Sequence, residues 1–161
     1  MKPRASRWPA LCLVALAVTA CRSDARAGHP DAAAPPRVIL DGPSGRSSTV
    51  DVEVARTPAA VELGLMFRDK LASHAGMLFV FPDTAEHDFW MKNTLIPLDM
   101  IFADERGVVV GIVENAEPLT TTTRSVGAPS RYVLEVNAGW SAAHGIARGD
   151  RMRFVGIPGL P

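Results

Sequence analysis

Apolar and polar residues alternate along several short segments of the chain, and this spacing predicts β-strands. In STVDVEVA, the side chains of Val50, Val52 and Val54 fall on one face and those of Asp51 and Glu53 on the other. The preceding VIL, joined to this segment through DGPSGR, is predicted to be its hairpin partner. A second hairpin is predicted in PLDMIFADERGVVVGIVE, with its turn at DERG, and further strands in RYVLEVNAG and DRMRFVGI.

Helical spacing is confined to two short stretches. In TPAAVELGLMFRDKL, Thr57 can cap a helix that Pro58 opens. Gly64 lies inside this segment and disfavours a helix by about 1 kcal/mol relative to alanine, which indicates either close packing or an early end. GWSAAHGI predicts one or two helical turns, and GMLFVFP predicts a buried strand that stops at Pro82. Many short strands with few helices predict an all-β sandwich or barrel-like domain.

The first twenty residues have the composition of a lipoprotein signal peptide. Three cations precede a short apolar run at 11–18 and a small pair at 19–20, and this run is shorter than the roughly 20 apolar residues of a membrane span. Residues 18–21 resemble a bacterial lipobox, which implies cleavage before Cys21 and its lipidation. We therefore expect an anchored protein of the bacterial cell envelope, facing the periplasm or the exterior. The alternative is a plain signal peptide followed by an incidental cysteine.

The remaining chain divides into a tether, one domain and a tail. Residues 21–36 hold the anchor and a segment rich in alanine and proline, which predicts a flexible tether. Residues 37–157 are continuously rich in apolar residues and predict a single domain, and 158–161 form a tail. Since Cys12 leaves with the signal peptide, Cys21 is the only cysteine of the mature chain, and the fold is expected to form without a disulfide.

Composition excludes several classes of function. The chain has 17 basic and 17 acidic residues, and it has no basic stripe, so nucleic acid is not an expected partner. It lacks the G-x-S-x-G motif of many hydrolases and a glycine-rich phosphate loop. His87 lies in EHD, which has the residue types of a metal site but not its spacing. We therefore expect neither a metal nor another cofactor.

The segment FWMKNT interrupts an apolar run with a lysine, an asparagine and a threonine. The mature chain has twelve arginines and only two lysines, Lys70 and Lys92, so the choice of lysine here stands out. If the segment is a strand, Trp90, Lys92 and Thr94 share one face. Lys92 is then either a binding or catalytic residue, or the partner of a buried carboxylate. Asn93 and Thr94 also have the chemistry of a turn.

Two carboxylates raise the same question, because Asp99 and Glu135 each interrupt an apolar run. A buried carboxylate needs a partner or does not stay ionised, and Arg68 or Lys92 could supply the cation. Such residues could form an acid–base site, a saccharide- or peptide-binding cleft with Trp90 as its platform, or a structural network. The candidate ligand-binding residues are Arg68, Trp90, Lys92, Asn93, Asp99 and Glu135.

Four segments in this order, GLMFR, GMLFVF, FWMKNTLIPLDMIF and YVLEVNAG with the following GI and GD, resemble the bacterial and archaeal family known as domain of unknown function 192. The resemblance covers roughly residues 48–155. It implies a mainly β fold, a jelly-roll-like β-sandwich with one or two short helices, in a family whose members are often secreted or lipid-anchored. It carries over no activity.

Three hypotheses about function follow. The first is a non-catalytic ligand-binding module for an envelope component, which could be a saccharide, a peptide or a protein, held at the membrane by the lipid anchor. The second is a hydrolase of cell-wall or saccharide substrates that uses Asp99 and Glu135. The third is a structural accessory domain that contacts another envelope protein.

Overall fold

The strands form one seven-stranded sheet. We describe residues 34–42 and 45–160 of a computed structural model. The strands are β1 (Arg37–Asp41), β2 (Ser47–Ala55), β3 (Ala75–Ala85), β4 (Leu98–Ala103), β5 (Val109–Ala116), β6 (Ser130–Asn137) and β7 (Arg151–Val155), and the helices are α1 (Pro58–Leu63) and α2 (Trp140–His144). The order of the strands in the sheet is β5-β4-β6-β3-β2-β1-β7. The prediction of a mainly β fold with one or two short helices is confirmed.

The sheet curls until its two outer strands meet. Val108 pairs with Arg151 across the gap, and the Met152 amide donates to the Gly107 carbonyl at 2.7 Å. The enclosed space is filled by alternate side chains from all seven strands, together with Trp140 and Ile146 at one end. The architecture is therefore barrel-like, and its interior is the main hydrophobic core.

A second apolar layer covers the outer face of β3, β4 and β6. Because β2 and β3 pair in parallel, the chain must cross over between them, and residues 56–74 make this crossover. Its Leu65 packs with Met91 against the sheet residues Phe79 and Met100. The Phe67 amide donates to the Asn93 carbonyl at 2.8 Å, which ties the crossover to the segment 86–97. We call residues 56–74 and 86–97 together the cap.

Helix α1 is capped as predicted but ends early. Thr57 Oγ1 accepts a hydrogen bond from the Ala60 amide at 3.2 Å, and Pro58 occupies the first turn. The helix stops at Gly64, whose φ of 47° is a left-handed conformation that suits glycine. A Cβ at this position would lie 3.3 Å from the ring of Phe79. Both an early end and close packing therefore account for this glycine.

Strand β3 does not stop at Pro82, contrary to the prediction, and continues to Ala85. The pairing of β3 with β6 shifts register between Val80 and Ala85. A proline lacks the amide hydrogen that a regular ladder needs, and it is tolerated where the ladder is interrupted.

The predicted signal peptide (1–20), the predicted lipidation site Cys21 and most of the predicted tether (21–36) lie outside the described residues. Ordered pairing begins before β1, since the Val52 amide donates to the Pro36 carbonyl at 2.8 Å. In the segment assigned to the tail, Leu160 packs against the core. None of the helices in the described part of the chain has the length and hydropathy needed to cross a membrane.

Candidate functional site

The segment FWMKNT ends in a turn and is not a regular strand. Phe89 forms an isolated bridge with Arg124, and the Thr94 amide then donates to the Met91 carbonyl at 3.1 Å. Asn93 has a φ of 57°, in the left-handed region that asparagine tolerates well. The turn ends the alternation of a strand. Thr94 is therefore buried, whereas a regular strand would have placed it on the same face as the exposed Trp90.

Trp90 and Lys92 do share one side of the segment, as predicted. Trp90 is 49% exposed, and Lys92 Nζ lies 5.5 Å from the centroid of its ring, within the range of a cation–π contact. Among the described residues, Lys92 forms no ion pair with Asp99 or Glu135. The sequence left open whether Lys92 pairs with a buried carboxylate. The structure does not have this ion pair among the described residues.

Asp99 is a buried structural anchor. It is 0% exposed, and its Oδ1 accepts from the amides of Asn115 at 2.9 Å and Gly139 at 3.0 Å. Its Oδ2 accepts from the amide of Ser141 at 2.9 Å. Two of these donors lie at the start of α2, so Asp99 on β4 satisfies backbone groups that this short helix leaves unpaired. Its carboxylate is fully engaged by the fold.

Glu135 is buried without any such partner. It lies on the outer face of β6, opposite Met77 of β3 and Met100 of β4, and is 4% exposed. No hydrogen bond or ion pair reaches its carboxyl from the described residues. Burial raises the pKa of Glu135 to about 8, because the ionised form loses its hydration with nothing to replace it. At neutral pH this side chain is a neutral acid.

The two carboxyls do not share a pocket. In the antiparallel pairing of β4 with β6, Asp99 is opposite Val136, and Glu135 is opposite Met100. These are adjacent positions of the ladder, and adjacent side chains point to opposite faces of a sheet. Asp99 therefore faces the interior of the curled sheet, and Glu135 faces the cap.

Arg68 does not reach either carboxyl. Its guanidinium binds Glu53 at the surface through two hydrogen bonds of 2.5 and 2.6 Å. The hydrogen bonds from Arg68 lower the pKa of Glu53, and the bonds to Glu53 raise the pKa of Arg68. Both proposed cations are thus engaged elsewhere, and Glu135 stays uncompensated.

A pocket of about 210 Å³ opens above Glu135, between the sheet and the cap. Phe79 and Phe81 of β3 belong to the sheet side, and Phe89 and Trp90 belong to the cap side. The remaining apolar lining comes from Val61, Leu63, Gly64, Leu65 and Met66, and the polar lining from Glu62, His87, Asp88, Thr94 and Glu135. No lysine or arginine is among these lining residues.

His87 is a neutral member of this wall. Its ring stacks on Phe81 with 3.6 Å between the centroids, and its Nε2 is buried with no hydrogen-bond partner in the described part of the chain. Burial lowers the pKa of His87 below its ordinary value. The pocket thus contains the buried carboxyl of Glu135 and the half-buried imidazole of His87. Neither the Glu135 carboxyl nor His87 Nε2 has a hydrogen-bond partner among the described residues.

A second depression, of about 290 Å³, adjoins the first. The two share Glu62, Leu63, Met66 and Trp90, and Lys92 and Asn93 line only the second. Trp90 therefore contributes to both, with Glu135 in one and Lys92 in the other. The structure thus brings Trp90, Lys92, Asn93 and Glu135 into one region and leaves Arg68 and Asp99 outside it.

Strained backbone lies next to this region. Phe67 and Leu119 have φ values of 63° and 58°, which are unusual for bulky residues, and each side chain is 65% exposed. Their amides donate to the carbonyls of Asn93 and Thr94. Such conformations concentrate at functional sites.

Several lining residues were not found from the sequence. Glu62 and Asp88 occur in ordinary-looking segments. Phe79, Phe81 and Phe89 belong to GMLFVF and FWMKNT, whose pattern was interpreted as strand and did not indicate a pocket lining. His87 was considered only as a metal ligand, and no group of three or more candidate ligands capable of holding a metal occurs within residues 34–42 and 45–160.

The model of the family domain of unknown function 192, described as uncharacterised, matches residues 40–154. A proposed transcription regulator from Sinorhizobium meliloti 1021 has a similar structure, with a TM-score of 0.74 and 42% identity over 77% of this chain and 96% of that one. A protein of unknown function from Novosphingobium aromaticivorans DSM 12444 is similar with a TM-score of 0.71 and 38% identity, over 78% of this chain and 89% of that one. No curated protein matches this chain in sequence.

Proposed function

This chain belongs to the family of domain of unknown function 192, and we propose that it is a non-catalytic ligand-binding module for a component of the bacterial cell envelope. The binding site is the pocket between the sheet and the cap. The observation that carries this proposal is Glu135, a buried carboxyl that lines a pocket and has no partner among the described residues. A buried polar group without a hydrogen bond destabilises a protein by about 1–3 kcal/mol, and a ligand would remove this penalty.

The size of the pocket limits what enters it. Pockets for drug-sized ligands have volumes of about 300–1,000 Å³, and this one has about 210 Å³. We infer that it holds one side chain or one substituent, while the rest of the ligand crosses Trp90 towards the depression with Lys92. The exposed Phe67 and Leu119 nearby extend the apolar surface that a larger ligand could contact.

The alternatives are less well supported. A hydrolase with Asp99 and Glu135 as its acid–base pair would need both carboxyls in one pocket, and the sheet separates them. The S. meliloti relative is described as a proposed transcription regulator. We do not extend this role, because the chain has equal numbers of acidic and basic residues, whereas nucleic-acid binding surfaces are basic.

Ligand binding is tested by the fluorescence of Trp90. The processed chain is titrated with muropeptides, envelope oligosaccharides and short peptides, and at least one class is expected to change the indole emission, because Trp90 lines both depressions. Trp90→Phe is the control, since Trp140 then remains as the tryptophan of the described domain. A response that persists in Trp90→Phe, or no response to any class, would contradict the proposed site.

The envelope location rests on the lipobox resemblance of residues 18–21. We expect the mature protein to begin at an acylated Cys21 and to sediment with membranes, because two or more acyl chains give stable anchoring. Cys21→Ala should release the protein or stall its processing. Mass spectrometry of the N-terminus decides this, and an unmodified N-terminus downstream of Cys21 would rule out the lipoprotein.

A further inference from the structure

We propose that the group held in the Glu135 pocket is a cation, an alkylammonium or guanidinium ion at the end of a flexible chain, which pairs with the ionised carboxylate of Glu135. This inference rests on the proposed function and names the chemistry of its ligand. Lysine, arginine and diamino-acid side chains of peptides carry such a group, and amino sugars carry the ammonium without the flexible chain.

The charges of the lining residues favour a cation. Three carboxyl groups line the pocket, from Glu62 and Asp88 in the cap and from Glu135 in the sheet, and the lining contains no lysine or arginine to oppose them. The imidazole of His87 is the remaining titratable group, and burial lowers its pKa, so it adds no positive charge at neutral pH. An anion would meet this group of carboxyls without a counter-charge.

The aromatic walls favour the same ligand. Phe81 and Phe89 lie edge to face with centroids 6.2 Å apart, and Trp90 completes the lining on the cap side. The faces of aromatic rings attract cations within about 6 Å of their centroids, most strongly where water is excluded. Rings around a single buried carboxyl provide both the apolar contact for a methylene chain and the charge for its end.

Binding requires a change of protonation at Glu135. The free carboxyl is protonated near neutral pH, and an arriving cation stabilises the ionised form. The carboxyl therefore releases its proton to the solvent, while the ligand keeps its own charge. Charge at the buried carboxyl of Glu135 is balanced before and after binding, since a neutral acid becomes an ion pair. The free pocket thus avoids an uncompensated buried charge, which would be strongly destabilising.

Matched probes test this inference in the full chain as the cell processes it. N-acetyl-lysine methylamide and N-acetyl-arginine methylamide carry the cation, and N-acetyl-norleucine methylamide is an uncharged analogue of the lysine probe. Glucosamine represents the amino sugars. Affinities are read from Trp90 fluorescence between about pH 6 and pH 9, and proton release is read with an indicator dye in weak buffer.

The cationic probes are expected to bind with dissociation constants on the order of 1 mM, as small ligands do. The affinity of the lysine and arginine probes, which stay charged throughout this range, should rise about tenfold per pH unit up to the pKa of Glu135 and then level off, with about one proton released per probe at pH 7. Glu135→Gln should weaken cation binding at least tenfold. Glu114→Gln, at an exposed carboxylate of β5, makes the same chemical change outside the pocket and should have no effect.

Two outcomes would overturn the inference in different ways. If the norleucine probe binds as tightly as the lysine probe, with no proton release, the pocket accepts apolar groups. That result would rule out the inference of a cationic ligand, but the proposed ligand-binding function would stand. If no probe, charged or neutral, alters the emission of Trp90, then the proposed function falls as well. A preference between the lysine probe and glucosamine supports the cation in either case and identifies its source.

Discussion

The Glu135→Gln variant is expected to gain stability over the parent protein as the pH rises, by about 5 kcal/mol between pH 4.5 and pH 9. Folding raises the pKa of Glu135 from 4.5 to about 8, and each pKa unit corresponds to about 1.36 kcal/mol. Below pH 4.5 the carboxyl is protonated in both the folded and the unfolded protein, so its titration does not change the free energy of unfolding. Between the two pKa values the unfolded chain releases a proton that the folded chain keeps, so rising pH favours unfolding.

Urea unfolding at several pH values measures this difference. Subtracting the two free energies of unfolding at each pH removes the titration of all other groups, which both proteins share. Glu114→Gln is the control and should follow the parent at every pH, because this carboxylate is exposed. A difference between Glu135→Gln and the parent that stays constant with pH would mean that the pKa of Glu135 is the same in the folded and the unfolded protein, and it would contradict the uncompensated burial of this carboxyl.

Asp99→Ala is expected to lower the free energy of unfolding by about 3–5 kcal/mol. The substitution leaves the amides of Asn115, Gly139 and Ser141 without the carboxylate that accepts from them. Each buried group left unsatisfied destabilises by about 1–3 kcal/mol, and partial relaxation of the loop before α2 reduces the total. We expect the position of α2 on the sheet to become less well defined, since the amides of Gly139 and Ser141 at its start are two of these three donors.

Asp104→Ala provides the comparison for Asp99. Asp104 Oδ1 also accepts from two backbone amides, those of Arg106 and Val108, but it lies in the β4–β5 turn, where water can replace it. This variant is expected to lose only about 1 kcal/mol. An Asp99→Ala protein as stable as the parent would contradict the anchoring role and would return Asp99 to the list of residues available for chemistry.

The strands could be predicted because their signal is local. Alternation in β2 depends on which face of the strand is buried, and neighbouring residues reveal that directly. Strand β4 is buried on both faces, and its signal was a short apolar run that ends at a turn. The ends of α1 could be predicted for the same reason. The cap at Thr57 and the positive φ at Gly64 each depend on the type of a single residue. FWMKNT failed as a strand because Asn93 reverses the chain, and alternation carries no information beyond a turn.

The site depends on register, which the sequence does not contain. Asp99 and Glu135 give the same signal, a carboxylate within an apolar run, yet they lie on opposite faces of the sheet. The outcome depends on which residue of β4 meets which residue of β6, and a shift by one position would exchange the two faces. The pocket likewise requires the crossover to place Leu65 and Met66 over β3 and β6, an arrangement fixed by the parallel pairing of β2 with β3.

The protonation of Glu135 can be followed by NMR through the ¹³C shift of its side-chain carboxyl, in the free protein and with saturating N-acetyl-lysine methylamide. Glu135→Gln identifies the resonance by its absence. In the free protein the carboxyl is expected to titrate at about pH 8, and with the probe bound its midpoint should fall by at least two units, because the ammonium stabilises the ionised form. A Glu135 carboxyl that titrates near its ordinary value of 4.5 in the ligand-free protein, with no shift on adding the probe, would contradict the account that Glu135 is neutral and unpartnered and binds a cation.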